Sequence, residues 1–205
     1  MEYFVSSVIG YLLGSIPTAY LILKKFKGID ITKVGSGNVG AMNSYEVTNS
    51  KGHGFSVFII DFLKGFLSVF VLLHLYDSIF IFPAIALLFA VFAHCFNPWI
   101  NFKGGRGLAT AAGGSVLIFP FILLVWIILW VLVYLFKKDI LLANVIATPL
   151  SIIITLLTAN YTLKFVYITT ANTAELILFA ISLLFIIFIK HVDPLKEIIS
   201  NNKKN

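Results

Sequence analysis

Long apolar runs dominate the chain, and short polar stretches separate them. Six runs approach or reach the roughly 17 to 25 residues that a membrane-spanning helix needs. They cover residues 3–23, 55–76, 79–95, 120–136, 140–158 and 174–189. A seventh stretch, residues 108–119, is rich in small residues and too short to span a bilayer alone. The pattern predicts an all-α membrane protein.

Lysine and arginine residues distinguish between two topologies, because cytoplasmic loops carry an excess of them. If residues 108–119 form a span of their own, thirteen of the 15 basic residues lie on one side. Lys164 then lies on the other side and Lys64 within a span. If residues 108–136 form one helix, the split is only eight against six. We therefore predict seven transmembrane helices, with the N-terminus outside and the C-terminus in the cytoplasm.

The composition agrees with a polytopic membrane protein. The 205 residues are 60% hydrophobic and only 12% charged, whereas soluble domains carry about 25% charged residues. We expect a single bundle over residues 1–198 and a flexible cytoplasmic tail over residues 199–205. No basic segment precedes the first run, so we expect that run to remain as a span and not to act as a cleaved signal peptide. The lone Cys95 offers neither a disulfide nor a cysteine metal site.

Two polar loops on the predicted inner face contain several glycines. The first includes "VGSGNVGAMN", residues 34–43, and the second includes "FKGGRG", residues 102–107. Converging backbone amides in such loops hold phosphate oxygens, and Lys103 and Arg106 provide countercharge. Turns use the same residues, so the first loop alone is equally consistent with a plain turn. The second alone is equally consistent with a basic membrane anchor, but two such loops on one face favour a site for phosphorylated ligands.

The charged pair Asp61 and Lys64 interrupts the second apolar run. Residues three apart share a helix face, and charges within a membrane are paired or functional. We expect a structural ion pair that supports the neighbouring inner loop. No histidine is followed by aspartate five residues on, and no serine nucleophile with a base is evident. Any chemistry would therefore depend on binding and electrostatics.

Four segments in this order resemble one known family. They are "YLLGSIPTAY" (11–20), "VGSGNVGAMN" (34–43), "DFLKG" (61–65) and "FKGGRGLAT" (102–110). They are similar to the bacterial integral-membrane acyl-phosphate–glycerol-3-phosphate acyltransferases, the PlsY family. The resemblance covers essentially the whole chain. It implies transfer of a fatty acyl group from acyl phosphate to the 1-hydroxyl of glycerol 3-phosphate, giving lysophosphatidic acid in phospholipid biosynthesis.

The resemblance also implies roles for individual residues. Ser36, Arg106 and His191 are the expected catalytic residues, and Ser15 matches a "GS" pair near the start of the family pattern. The expected substrate- and phosphate-binding residues are Gly37, Asn38, Gly40, Asn43, Lys103, Gly104, Gly105 and Gly107. No metal and no cofactor is implied, and the catalytic step is expected to need no protein nucleophile.

The chain departs from the family pattern at several positions. Met42 replaces a threonine and Glu46 an arginine, while Arg106 replaces a lysine. The remaining replacements are Leu141 and Asn144 for serines, and Pro194 for an asparagine. Glu46 reverses a charge beside anionic substrates, which would repel them.

Three functions therefore stay open at the level of sequence. The first is the acyltransferase, with acyl phosphate and glycerol 3-phosphate as substrates and an active site on the cytoplasmic face of the bacterial inner membrane. The second is a non-catalytic or altered-substrate relative that binds or moves a phosphorylated lipid intermediate. A transporter is the third, although no internal repeat supports it. We expect the lipid bilayer as partner, no nucleic acid, and a monomer.

Overall fold

The structure, a computed structural model, describes residues 1–76, 79–166, 168, 171–192 and 195. These residues form α-helices and three short 3₁₀ turns, and they contain no β-strand. The helices are α1 (Glu2–Gly14), α2 (Thr18–Lys27), α3 (Ala41–Thr48), α4 (Lys51–Leu75), α5 (Ile81–Cys95), α6 (Leu108–Ile118), α7 (Pro120–Lys137), α8 (Ile140–Thr162) and α9 (Thr173–Ile189). The predicted tail, residues 199–205, and Pro194 lie outside the described residues.

Within the described residues, five helical segments are long and apolar enough to cross a membrane. They are Glu2–Lys27, Lys51–Leu75, Ile81–Ile100, Pro120–Lys137 and Ile140–Phe165. Two further apolar helices, α6 and α9, are shorter. The 11 residues of α6 rise only about 16 Å, roughly half of the ~30 Å hydrocarbon core. The all-α membrane class is confirmed, whereas seven spans and the orientation of the termini stay predictions.

The stretch between residues 108 and 136 is broken into two helices. Helix α6 ends at Ile118, and Phe119 has an extended φ of −148° before α7 begins at Pro120. Proline favours the first position of a helix, where its missing N–H is not needed. The structure therefore separates residues 108–119 from the following run, as the count of basic residues predicted.

The first predicted span, residues 3–23, falls within the candidate span Glu2–Lys27 but contains a break between two helices. Helix α1 ends at Gly14 and α2 starts at Thr18. Pro17 causes the break, because proline has no N–H to donate and disfavours helical geometry in the residue before it. The break takes the carbonyl oxygen of Ser15 out of the helix ladder. The carbonyl oxygen of Ile16 accepts from Thr18 N at 2.9 Å and keeps a second lone pair for a partner elsewhere in the bundle.

Glycines bring neighbouring helices close together at the centre of the bundle. A Cβ added to Gly65 of α4 would overlap the carbonyl oxygen of Thr110 of α6, and one at Gly113 would overlap that of Phe62. Gly10 of α1 lies in the same way against Ala86 of α5. Small residues allow such close backbone approach in membrane bundles. This packing fixes α1 against α5 and α4 against α6, and the second glycine loop lies between α5 and α6.

Helix α7 is fixed to α8 by side-chain hydrogen bonds. The indole nitrogen of Trp130 donates to Asn144 Oδ1 at 2.7 Å, and that of Trp126 donates to Thr148 Oγ1 at 3.2 Å. Asn144, one of the departures from the family pattern, therefore holds two helices together.

Candidate active site

The first glycine loop, residues 34–40, is built around the side chain of Asn43. Ser36 N donates to Asn43 Oδ1 at 3.1 Å. In turn, Asn43 Nδ2 donates to the carbonyl oxygens of Val34 at 3.2 Å and Asn38 at 3.0 Å. Both amide donors of this buried side chain are thus used. Asn43 lies beneath the loop and holds its shape.

Two glycines in this loop are needed for its backbone path. Gly35 has a φ of +58° and Gly37 a φ of +67°, a left-handed conformation that glycine adopts without steric cost. A side chain at Gly35 would also meet Asn43 Oδ1. These turns place Ser36 at the exposed crest between them.

The second glycine loop, residues 102–107, follows the end of α5. Gly105 N donates to the carbonyl oxygen of His94 at 3.1 Å. A Cβ on Gly104 would overlap the carbonyl oxygens of His94 and Cys95, and one on Gly105 would overlap His94 Nε2. Gly107, with a φ of +83°, turns the chain into α6. These three glycines are required for packing and for the turn.

A backbone hydrogen bond joins the two loops. Val39 N donates to the carbonyl oxygen of Gly104 at 3.2 Å. In addition, the carbonyl oxygen of Val39 lies 2.9 Å from the position that a Cβ on Gly105 would take. The loops that the sequence placed on one face are therefore directly adjacent.

A buried charged cluster lies behind the second loop. Lys64 Nζ is 2.7 Å from Asp61 Oδ1 and donates to the carbonyl oxygen of Ile16 at 2.8 Å. It also lies 3.4 Å from His94 Nδ1. The other ring nitrogen of His94 faces Gly105. The ion pair expected from the sequence thus contacts the histidine that supports the loop.

The break before α2 ties the first helices to the segment preceding the second loop. Asn97 Nδ2 donates to the carbonyl oxygen of Ser15 at 2.7 Å, and Trp99 Nε1 donates to Ser15 Oγ at 3.1 Å. The hydroxyl of Ser15 also donates to the carbonyl oxygen of Leu12 at 2.9 Å. Ser15 therefore holds the segment with Asn97 and Trp99, which leads into the second glycine loop.

An open polar pocket of about 220 Å³ lies where the loops meet. Its size is below the ~300–1,000 Å³ of sites for drug-sized ligands and suits a small phosphorylated molecule. Among the described residues, those that line it include three cations and no carboxylate. The lining residues are Ser36, Gly37, Asn38, Lys103, Gly104, Arg106 and Lys190.

His191 is buried immediately after the end of α9, beside the polar pocket. Its Nδ1 donates to the carbonyl oxygen of Ile187 at 2.8 Å, since a carbonyl can only accept. Burial lowers the pKa of His191 from 6.5 to about 4; the bond to Ile187 opposes this shift and the charge of Arg106 adds to it. The ring is neutral at pH 7, and its buried Nε2 has no partner among the described residues. This nitrogen is available as a hydrogen-bond acceptor.

Comparison with known proteins identifies the family of the chain. A family model described as "Glycerol-3-phosphate acyltransferase" matches residues 4–201. The chain belongs to this family. The resemblance inferred from the four sequence segments is thereby confirmed.

Individual members of the family agree with this assignment. A glycerol-3-phosphate acyltransferase of Fusobacterium nucleatum is 38% identical over 161 residues, covering 77% of this chain and 80% of the relative. The crystal structure of PlsY (YgiH) in its glycerol 3-phosphate form is 28% identical, with a TM-score of 0.80. It covers 98% of this chain and 94% of that protein. The lysophosphatidic acid form is 27% identical, has a TM-score of 0.79 and covers 98% and 93%.

The residues that the sequence proposed for this family member fall into two groups. Six of them line the polar pocket: Ser36, Gly37, Asn38, Lys103, Gly104 and Arg106. Gly40, Asn43, Gly105, Gly107 and His191 lie next to these residues and form the supporting layer. Gly40 precedes α3 with an extended φ of −152°.

Lys190 is the pocket residue that the sequence interpretation missed. It had been counted only as a topological charge at the end of the last apolar run. Its position directly before His191 was the one signal in the sequence that it lies near the site.

Two residues that depart from the family pattern do not line the pocket. Met42 and Glu46 are both exposed on α3, whereas the pocket is lined by the loop that precedes this helix. The expected repulsion between Glu46 and an anionic ligand is therefore weaker than the sequence implied.

An apolar groove adjoins the polar pocket along two shared segments. It is lined by α6, α7 and α9, through residues Leu108, Ala111, Ala112, Ser115, Ile122, Leu123, Trp126, Leu183, Leu184 and Ile187. Leu108 follows Arg106 by two residues, and Ile187 precedes Lys190 by three. The groove has a volume of about 60 Å³ and shares no lining residue with the polar pocket, so these two chain segments are what relates the two surfaces.

Proposed function

We propose that this chain transfers a fatty acyl group from an acyl phosphate to the 1-hydroxyl of glycerol 3-phosphate. The products are lysophosphatidic acid and inorganic phosphate. The chain is a membrane acyltransferase of the glycerol-3-phosphate acyltransferase family. The acyl phosphate donor and the roles of single residues are our proposal.

The observation that carries this function is the arrangement of the polar pocket and the apolar groove. Both substrates carry phosphate, and three of the residues that line the pocket, Lys103, Arg106 and Lys190, are cationic. In the first glycine loop, Ser36 N and Gly37 N already donate to Asn43 Oδ1 and to the carbonyl oxygen of Val34. The donors that this loop offers to phosphate oxygens are therefore the Ser36 hydroxyl and the groups of Asn38. The groove offers an apolar surface for the fatty chain. A soluble phosphate ester and a lipid-like donor therefore each find a matching surface.

The reaction needs orientation more than a nucleophilic side chain. The 1-hydroxyl oxygen of glycerol 3-phosphate attacks the acyl carbonyl carbon, a carbon–oxygen ester bond forms, and the bond from that carbon to the phosphate oxygen breaks. The hydroxyl proton ends on the departing phosphate. Fixing both reactants in this geometry removes much of the entropic barrier.

We assign separate tasks to the three catalytic residues. Arg106 offers a planar fork that can hold two phosphate oxygens and stabilises the charge that grows on the departing phosphate. Ser36, at the exposed crest of the first loop, hydrogen-bonds a phosphate oxygen. His191 is buried behind the pocket lining with Nε2 unpartnered among the described residues. Its task is to accept a hydrogen bond from the attacking hydroxyl when substrate binding opens access to this nitrogen. A pKa of about 4 makes it a weak base, so orientation is its principal task.

We further propose that the site faces the cytoplasm in the bacterial inner membrane of a monomeric, seven-span protein. The distribution of lysine and arginine supports this orientation. It also suits the chemistry, since glycerol 3-phosphate is a water-soluble anion and the acyl donor partitions into the bilayer.

One assay tests the function directly. The purified protein, in detergent or lipid mesophase, is supplied with palmitoyl phosphate and glycerol 3-phosphate. We expect equal amounts of lysophosphatidic acid and inorganic phosphate, and no lysophosphatidic acid when glycerol 3-phosphate is omitted. Well-folded protein that gives no product would refute the proposal and favour a role in binding a phosphorylated lipid intermediate.

A further inference from the structure

Lys190 occupies a junction between the polar pocket and the apolar groove. It directly follows α9 and lines the pocket together with Lys103 and Arg106. Ile187, one turn earlier on the same helix, lines the groove. Residues three or four apart share one face of a helix. One face at the C-terminal end of α9 therefore lines the apolar groove at Ile187 and leads to the polar pocket at Lys190.

Leu183 extends this relationship further along α9. It precedes Ile187 by four residues and also lines the groove. The series Leu183, Ile187 and Lys190 thus forms one stripe that ends in a positive charge. A molecule lying along this stripe would be apolar over most of its length and anionic at one end.

The surroundings of Lys190 keep its charge available. Its Nζ lies 4.9 Å from the centre of the Phe96 ring, a cation–π contact that fixes the side chain without neutralising it. Within the described part of the chain, no carboxylate lies within ion-pair distance of Lys190. The side chain is partly buried, so its charge is screened less than that of a fully exposed lysine.

We propose that Lys190 binds the phosphate of the acyl donor and thereby anchors the donor head at the mouth of the groove. This inference rests on the proposed acyltransferase function and specifies which substrate the residue recognises. In this assignment the remaining lining of the pocket, Ser36, Gly37 and Asn38 of the first glycine loop, is left for glycerol 3-phosphate. Lys190 is then a specificity residue for the lipid-like substrate.

The test separates the Michaelis constants for the two substrates. In Lys190→Met, a neutral side chain of similar length, the KM for palmitoyl phosphate should rise about tenfold or more. The KM for glycerol 3-phosphate should change by less than about twofold. Lys190→Arg keeps the charge and should stay within about threefold of the unmodified protein for both constants.

Lys138 provides a matched control. It also follows the end of an apolar helix and also stacks on an aromatic ring, with its Nζ 5.7 Å from the centre of Tyr134. It does not line the pocket. Lys138→Met should therefore leave both Michaelis constants unchanged. An equal rise in that variant would show a general effect of membrane surface charge and would overturn the proposal.

Two outcomes contradict the assignment while leaving the acyltransferase function intact. Lys190→Met could leave both constants unchanged, or it could raise only the constant for glycerol 3-phosphate. Failure of the unmodified protein to form lysophosphatidic acid would instead refute the proposed function itself.

Binding measurements give a readout that does not depend on turnover. Hexadecylphosphonate, a donor-like probe with an apolar chain and a phosphonate head, should bind about tenfold more weakly to Lys190→Met. Binding of glycerol 3-phosphate should be unaffected. Unchanged hexadecylphosphonate affinity would overturn the inference, and the melting temperature of each variant shows that the protein compared is folded.

Discussion

The ammonium group of Lys64 donates a hydrogen bond to the carbonyl oxygen of Ile16 at 2.8 Å. This contact joins α4 to the break between α1 and α2, which Pro17 creates. An unbroken helix would have used the carbonyl of Ile16 within its own ladder. The proline and the buried lysine are therefore structurally linked, because the Ile16 oxygen, which also accepts from Thr18 N at 2.9 Å, can accept a second hydrogen bond from Lys64.

Removal of Lys64 should destabilise the bundle. Lys64→Met leaves Asp61 buried without its countercharge, and breaking a buried ion pair in this way costs about 3–5 kcal/mol. Thermal unfolding in detergent should show a clearly lowered melting temperature. The double variant Asp61→Asn with Lys64→Met removes the uncompensated charge and should recover part of the loss. Equal stability of the two variants would show that the pair is not coupled.

Arg106 should be essential for turnover through its charge. Arg106→Ala removes a pocket cation and should abolish lysophosphatidic acid formation, whereas Arg106→Lys should retain substantial activity. Initial rates at saturating concentrations of both substrates provide the measurement. Full activity of Arg106→Ala would mean that the second glycine loop serves only as a membrane anchor.

Substitution of Glu46 should have little effect on substrate affinity. The side chain is exposed on α3 and does not contribute to the pocket lining, and exposed charges are strongly screened by solvent and salt. Glu46→Arg should change the KM for glycerol 3-phosphate by less than about twofold at 0.15 M salt. A large gain in affinity would show that the negative charge does reach the bound substrate.

Gly105→Ala should impair both the fold and the activity of the site. Its methyl group would overlap His94 Nε2 and press against the carbonyl oxygen of Val39 at 2.9 Å. Because this backbone oxygen belongs to the first loop, the two loops should separate and kcat should fall by at least tenfold. Gly52→Ala is the matched control: it lies in α4, and its new Cβ would be 3.7 Å from Ser50 Oγ. That variant should fold and turn over normally.

His191 should stay neutral across the physiological range. Burial lowers its pKa to about 4, so the unfolded chain binds more protons than the folded chain between about pH 4 and 6.5. The stabilising contribution of the neutral ring is therefore complete above about pH 6.5 and is lost as the pH falls towards 4. Histidine-labelled protein followed by NMR should show this titration near pH 4, and His191→Gln should remove the signal. A midpoint near 6.5 would contradict the buried placement.

The helical class and most helix positions follow from the sequence because lipid burial leaves a strong, continuous apolar signal. The break at Phe119 was also predictable, because only a chain reversal near this residue places thirteen of the 15 basic residues on one side of the membrane. The break at Pro17 was not, because the apolar run continues through it. A proline can kink a helix or end it, and only its neighbours in space decide which.

The sequence predicted which glycines belong to the candidate site, but not which residues line the pocket and which hold the loops in shape. Gly37 and Lys103 line the pocket as expected. Asn43 has the same amide chemistry as Asn38, yet it lies beneath the loop and holds the shape of the backbone. Lys190 belongs to the pocket through the packing of α9, a long-range contact that local sequence does not encode.

The spacing of Asp61 and Lys64 has a consequence for how the protein enters the membrane. A pair three residues apart can form inside a nascent α4 before any other helix has packed, so the helix presents a nearly neutral unit to the lipid. The contact with Ile16 then requires the N-terminal segment, which is synthesised first, to be already in place. Pairing of Lys64 with Asp61 is therefore a local step, whereas the contact with Ile16, 48 residues away in the chain, forms only when α4 packs against the break after α1.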